Sequence, residues 1–386
     1  MEKKRLLILV VLLATLVALL PGCGKKGDDT YRLGLQLPLT GEMAYTGQGM
    51  KKAYDVVIED INKKGGFLGK QIEIFYEDDK GDPKEAALVA DRIKAKKPHA
   101  VIGPYSSVSV EAAQPIYQEA GILQIAPSAS SNRLTLRGYN TYFIRTCWND
   151  DAQAIYFADY VKKFWPTKNL WVLHDGTAFP KGWTDGFVKF AQERGLSVNV
   201  EQFNPQDRDF SPTLTMLKGK GAEVVVFMGY YAQMGLMAKQ AYDLGATWQW
   251  VLCDEFNQEV VKISGPEALQ GVLILTSPLP TDLPYPESKA FNELWKAKYG
   301  EYPEYLVWPL AADGVYVLKA GIEGANSFDG KAIADWIKKN IKNYNGVYGP
   351  IQGWTETGES IRSGFMMYTV DKDGAQVLAP ASQQLN

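Results

Sequence analysis

Short apolar runs and helix-spaced apolar stripes alternate along the chain. Tyr31 to Leu37 is apolar-rich and predicts a strand. Pro38 to Gly49, with three glycines, predicts a loop. Met50, Ala53, Tyr54, Val57, Ile58 and Ile61 recur at helical spacing and predict a helix over 48–62. Gly65-Gly66 stops it. Gln71 to Tyr76 alternates as a strand does. Asp82-Pro83 opens a helix over 84–96, with proline at its first position. Ala100-Val101-Ile102 is an apolar run closed by Gly103-Pro104, the signature of a buried strand. Ser106 or Ser107 can cap the helix that follows, which runs to Gly121. Ile122 to Ala126 is the next strand. This β-α-β-α-β-α-β order from Tyr31 to Ala126 predicts a parallel, doubly wound sheet.

The alternation restarts after Tyr142 to Arg145. Helices are predicted over 151–164, 182–194, 210–218 and 232–244, and strands over 169–174, 196–203, 224–228, 248–252 and 271–276. That is a second α/β unit of similar size. Pro278, Pro280, Pro284 and Pro286 then mark a long loop. Three helices follow, over 288–299, 309–323 and 331–340. The tail, 348–378, reads as strands and turns, with a hairpin at Trp354-Thr355-Glu356-Thr357-Gly358. No period short enough for a solenoid is present.

This order places two serine clusters at the carboxyl ends of parallel strands, where open α/β sheets bind ligands. One is Ser106-Ser107 and the other is Ser128 to Ser131. The free N–H groups of Ser106, Ser107 and Val108, with the helix dipole behind them, suit a small anion such as a carboxylate. The alternative is that these serines only cap and turn.

Composition narrows the function classes. The chain has 386 residues, 46% of them hydrophobic, and a formal net charge of -3. It is long enough for two cores. Near-neutral charge without a basic stripe excludes a nucleic-acid footprint. Three Cys and two His are too few for a disulfide framework or a zinc site, so no metal and no cofactor are expected. Aromatic residues, at 12%, suit recognition of apolar surface. There is no Gly-x-Ser-x-Gly elbow, His-Glu-x-x-His or Walker A loop, and no enzyme is expected. His174 beside Asp175 is the one pair that looks catalytic, in an α/β hydrolase lacking a nucleophile. A packed or hydrogen-bonded histidine is the plainer reading. Cys147 and Cys253 read as buried thiols that pair only if folding brings them together.

The first residues are Lys3, Lys4 and Arg5, an apolar run from Leu6 to Leu20, and Leu20-Pro21-Gly22-Cys23. This is a secretory signal over 1–22, too short for a membrane span. Its end resembles the lipobox of bacterial lipoproteins, which implies lipidation of Cys23 at the start of the mature chain. Ordinary cleavage is the alternative. Residues 23–30 are small and charged, and read as a flexible tether.

Taken together, Asp60-Ile61-Asn62-Lys63-Lys64-Gly65-Gly66, Asp78-Asp79, Asp82-Pro83, Val101-Ile102-Gly103, Ile144-Arg145-Thr146 and Gly229-Tyr230-Tyr231 with Met234-Gly235 resemble the branched-chain amino acid binding proteins of ABC importers. The resemblance implies the type I periplasmic-binding fold: two Rossmann-like lobes with parallel sheets, joined by three hinge crossovers. The crossovers would fall near Asn149, Pro278 and Gly349. The lobes would then be 31–148 with 279–349, and 149–278 with 350–386. A monomer is implied, lipid-anchored outside the cytoplasm, handing its ligand to membrane permease subunits.

The family's carboxylate site maps onto Ser107 and Ser130, with Tyr105, Ser106, Ser128 and Ala129 beside them. Its ammonium site maps onto Tyr230 and Glu255, and further aromatic positions onto Tyr45 and Phe179. Asp254 is an alternative to Glu255, because the family often has a small residue and Gly around the Glu. Tyr105 stands where an aliphatic residue is usual, and Phe179 lacks the hydroxyl of the usual Tyr. Walls of Tyr45, Tyr105, Phe179 and Tyr230, with Trp148 or Trp308 nearby, imply an apolar side chain, branched or aromatic. A ligand-sensing receptor or regulator on the same fold, or a binder of an apolar carboxylic acid or amide, are the competing functions.

Overall fold

The computed structural model of the protein describes residues 30–385. The expected signal segment and Cys23 lie outside them. The first sheet takes β1 (Thr30–Leu37), β2 (Gln71–Asp78), β3 (Ala100–Ile102), β4 (Leu123–Ala126) and β5 (Phe143–Arg145) in the order β2-β1-β3-β4-β5. All its pairings are parallel. β3 and β4 are buried along their whole length, which is why they read as unbroken apolar runs rather than alternations.

The second sheet takes β6 (Leu170–His174), β7 (Asn199–Gln202), β8 (Val224–Met228), β9 (Gln249–Leu252) and β10 (Leu273–Thr276), which pair in parallel. Two small hairpins follow β10 in sequence. They are β11 (Tyr344–Gly346) with β12 (Gly349–Ile351), and β13 (Gly353–Trp354) with β14 (Ser360–Ile361). β15 (Met366–Val370) and β16 (Gln376–Leu378) then add antiparallel strands to give the order β16-β15-β10-β9-β8-β6-β7. The protein is thus α/β with two lobes, each built on its own sheet.

One expectation needs correction. The helix over Ala44–Lys63 starts earlier than the glycines suggested. Gly47 and Gly49 lie inside it, where a side chain would run into the Pro38 carbonyl and the Trp308 indole. These glycines serve close packing, not a loop. A helix over Gln258–Ser264 was not foreseen; it is one short segment capped by the Asn257 side chain, which accepts from Glu259 N–H at 2.9 Å. The segment after Gly349 pairs with the first sheet's edge. Arg145 N–H donates to Gly358 O at 2.7 Å, and Trp354 Nε1 donates to Arg145 O at 2.7 Å. The chain therefore stays with edge strand β5 beyond Gly349, because that edge has backbone groups to satisfy.

The chain passes between the sheets at 146–149, 277–285 and 362–365. One buried knot joins all three. Arg362 donates through Nη1 to Thr146 O at 2.7 Å and to Asp313 Oδ2 at 3.1 Å, and through Nη2 to Tyr348 O at 2.8 Å. The Tyr348 hydroxyl donates to Pro278 O at 2.6 Å.

Candidate functional site

The first-lobe wall of the cleft is a set of donors. Ser106 caps the helix Ser107–Glu119, its hydroxyl accepting from Ser109 N–H. The first intrahelical bond of that turn runs from Val110 N–H to Ser106 O, so the N–H groups of Ser107 and Val108 precede the helical ladder. The Ser107 hydroxyl accepts from Ser131 N–H at 3.1 Å, which leaves its own proton to donate. Ser128 donates to Tyr105 O at 3.0 Å. Under the second serine turn lies Arg145, fully buried. Its Nη1 donates to Ser130 O and Ser131 O at 2.8 Å each, and its Nη2 to Glu359 Oε2 at 2.7 Å. Three carbonyl and carboxylate acceptors thus fix the turn from below.

The second-lobe wall is acidic and phenolic. Glu255 and Asp254 follow β9, and Tyr230 follows β8. Burial pushes the Glu255 carboxyl up to about 8, with repulsion from Asp254 adding to it. Burial likewise pushes Asp254 up to about 6. Gln153 Nε2 donates to Asp254 Oδ2 at 3.1 Å. The Tyr230 hydroxyl is buried and makes no hydrogen bond of ordinary geometry. Further back, Asp150 is buried, and burial pushes its carboxyl up to about 8.

The two walls touch. Tyr105 donates to Glu255 across the cleft, and Tyr305 donates to the same carboxylate at 3.2 Å. Nearer the rim, Glu42 pairs with Arg208 and accepts from Gln233 Nε2 at 3.0 Å. Between the walls is a small cavity of about 30 Å³. Eight of the expected residues line it: Tyr105, Ser106, Ser107, Ser128, Ser130, Phe179, Tyr230 and Glu255. Asp254, Cys147 and Trp148 join them.

Two expected residues fall elsewhere. Ala129 is buried behind the turn, and Tyr45 lies on the first turn of its helix, against Tyr231, Tyr305 and Trp308, with its hydroxyl donating to Glu304. Trp308 is stacked on Trp295 at 5.1 Å rather than on the cavity. The apolar side of the cavity is instead Leu306, Val307 and Leu310, which the sequence reading did not single out. The apolar start of the helix Val307–Ala325, ahead of Pro309, was the available signal.

His174 does not pair with Asp175. Its Nδ1 accepts from Gly176 N–H at 3.0 Å, while Asp175 accepts from Thr177. Cys147 and Cys253 are buried and free.

Two α/β lobes and a cavity lined from both sides define a two-lobed solute-binding protein. The chain belongs to the periplasmic binding protein family, whose profile matches residues 30–375. It is 33% identical to the Leu/Ile/Val-binding protein BraC3 of Rhizobium johnstonii, over 93% of this chain and 96% of that one. It is 32% identical to the leucine-, isoleucine-, valine-, threonine- and alanine-binding protein of Pseudomonas aeruginosa, over 90% and 92%. A leucine-binding protein LivK from Thermotoga maritima superposes with a TM-score of 0.83 at 28% identity, over 91% of this chain and 98% of that one. A Streptococcus pneumoniae LivJ in complex with isoleucine superposes at 0.81 and 26%, over 91% and 99%. These relatives are named as binding proteins, and the role of this chain is solute binding, not catalysis.

Proposed function

We propose that the cleft binds an apolar α-amino acid, branched-chain or aromatic, and delivers it to the membrane subunits of an ABC importer. The observation that carries this is the pairing of opposite walls around one cavity. Serine hydroxyls and helix N–H groups offer donors from the first lobe, and carboxylates and a phenol offer acceptors from the second. A zwitterion needs both. Trp148, Phe179, Leu306, Val307 and Leu310 supply an apolar side for its side chain. The ligand carboxylate goes to Ser107 and Ser130, and the ammonium to the acidic pair Glu255 and Asp254 with Tyr230.

A ligand held from both lobes stabilises only the closed form, and closure is the signal the permease reads. In this reading 30–146 with 286–361 form one lobe, and 150–276 with 366–385 the other. The names of the relatives, which bind leucine, isoleucine and valine, support the ligand class.

The test is thermal unfolding of the purified protein against each common amino acid. A rise in Tm confined to apolar amino acids supports the reading, and a flat response to all of them defeats it. We also propose a lipid anchor on Cys23, supported by the basic, apolar, Leu-Pro-Gly-Cys order. Mass spectrometry of membrane-extracted protein is expected to find a diacylglyceryl group on the N-terminal peptide; an unmodified Cys23 contradicts it.

A further inference from the structure

A second opening lies away from the cleft. It is a groove of about 620 Å³ beside the β5 edge of the first sheet. Asn140 and Thr141, just ahead of β5, form one side, and the helix Gly330–Asn340 forms the other. Gly330 packs on the backbone of Gly121 and Leu123, at the amino end of β4. All strands of this sheet are parallel. The groove therefore opens at their amino ends, while the serine turns of the cavity stand at their carboxyl ends.

The helix divides its faces. Ile333, Ala334 and Ile337 are buried in the lobe, and Lys331, Lys338 and Lys339 line the groove, with Lys342 just past the helix end. These four lysines meet two carboxylates, Asp335 and Glu356. Lys331 takes Asp335 at 2.6 Å. Lys338, Lys339 and Lys342 make no ion pair among the described residues. Lys338 is half-buried and donates to Asn140 O. An ammonium has three N–H donors, so two remain for the groove, and burial pushes this one's pKa down. Lys338 and Lys339 complement the negative end of their helix. Lys331 stands at its positive end, where the dipole opposes a cation. Helix electrostatics alone therefore do not account for the set.

The chain enters the first lobe at this same end. Thr30 opens β1 opposite Gln71, the first residue of β2. β1 and β5 are three strand spacings apart, about 14 Å along the sheet edge. Residues 23–29 span at most about 25 Å when fully extended. An anchor on Cys23 thus brings this end of the lobe to the membrane surface. We propose that Lys331, Lys338, Lys339 and Lys342 seat the first lobe on anionic lipid headgroups, whose phosphates supply the acceptors and the negative charge that the groove lacks. The proposal goes beyond solute binding and rests on the Cys23 reading only for how the face reaches lipid. With the groove on the bilayer, the cavity is held on the far side of the lobe from the lipid.

The experiment is vesicle co-sedimentation of the mature chain from Cys23, prepared without lipid. The probes are vesicles of phosphatidylcholine, alone or with about one-third phosphatidylglycerol. The parent is expected to bind the anionic vesicles at least about tenfold better, and to lose that advantage as salt rises. Lys338→Gln, Lys339→Gln and Lys342→Gln together are expected to reduce this binding at least about tenfold. Arginine at the same three positions is expected to keep it within about twofold. Lys189→Gln, Lys220→Gln and Lys239→Gln together remove the same charge from exposed positions of the second lobe, and are expected to change it by less than about threefold. Equal binding of both vesicles by the parent overturns the proposal, and so does an equal loss in the two glutamine triples. Circular dichroism and thermal unfolding of each triple separate lost binding from lost folding. The chain carries no lipid in this measurement, so failure of the groove is read by sedimentation and failure of the anchor by mass spectrometry.

Discussion

The two walls of the cleft are built by opposite strategies. On the first-lobe wall every serine has a structural bond as well as an open face. Ser106 caps a helix, Ser107 receives Ser131 N–H, and Arg145 fixes the Ser130–Ser131 carbonyls. That wall is preorganised by helix and turn chemistry, and it costs little when empty. On the second-lobe wall the polar groups are strained by burial. Asp254 and Glu255 hold their protons above the usual carboxylate range, and Tyr230 has no partner. That wall is completed only by what arrives. Closure draws its driving force unequally from the two: the donor wall selects and orients, and the acceptor wall is relieved.

The largest effect is expected from undoing the donor wall at its base. Arg145→Met removes a buried guanidinium with its bonds to two carbonyls and to Glu359, which keeps only the neutral donors of Thr135 and Asn149. Loss of one partner of a buried pair costs about 3–5 kcal/mol, and a denaturant titration is expected to register it. The serine turn is expected to loosen with it, so any residual folded protein binds weakly. A loss below about 1 kcal/mol would mean the turn holds without its arginine.

A smaller effect is expected from the serines themselves. Ser107→Ala and Ser130→Ala each remove one donor to the ligand carboxylate, at about 1–3 kcal/mol of binding, read by calorimetry. Ser107→Ala also leaves Ser131 N–H unpaired, so it is expected to lower stability more than Ser130→Ala. If both bind as the parent does, these serines only cap and turn.

The smallest effect distinguishes the walls by pH. Burial raises both Glu255 and Asp254, so the empty fold binds protons more tightly than the unfolded chain does. These groups favour folding at low pH, and that contribution is lost as pH rises through about 6 and then about 8. The ligand reverses the order. An ammonium needs charged carboxylates, so affinity is expected to fall as pH drops through about 6. Between pH 7 and pH 5 the loss is expected to be about tenfold. Calorimetry and thermal unfolding across that range check both signs.

Much of this was legible in the sequence because it is local. The βαβ order follows from periodicity and turn residues, and the serine clusters follow from strands that end in Gly103-Pro104 and Pro127. Glu255 and Tyr230 followed from resemblance at the ends of β9 and β8. What could not be read is what distant segments bring together. Tyr305 and the Leu306–Leu310 wall reach the cavity only after the chain has crossed back between lobes. The Tyr105–Glu255 bond joins residues from different sheets. The bond between the Trp354 hairpin and β5 depends on an edge strand offering its backbone to a segment more than two hundred residues later. Glycines 47 and 49 misled because a close-packing glycine and a loop glycine look alike until Trp308 and Pro38 are in place.

The central claim is that the two walls grip opposite ends of one small molecule. It is tested most directly by calorimetry on the unmodified protein with leucine, its des-amino acid 4-methylpentanoate, and its decarboxylated amine 3-methylbutylamine. Leucine is expected to bind, and each truncated molecule to bind at least about 100-fold more weakly. Either truncated molecule binding within about threefold of leucine would contradict it, because one wall would then contribute nothing.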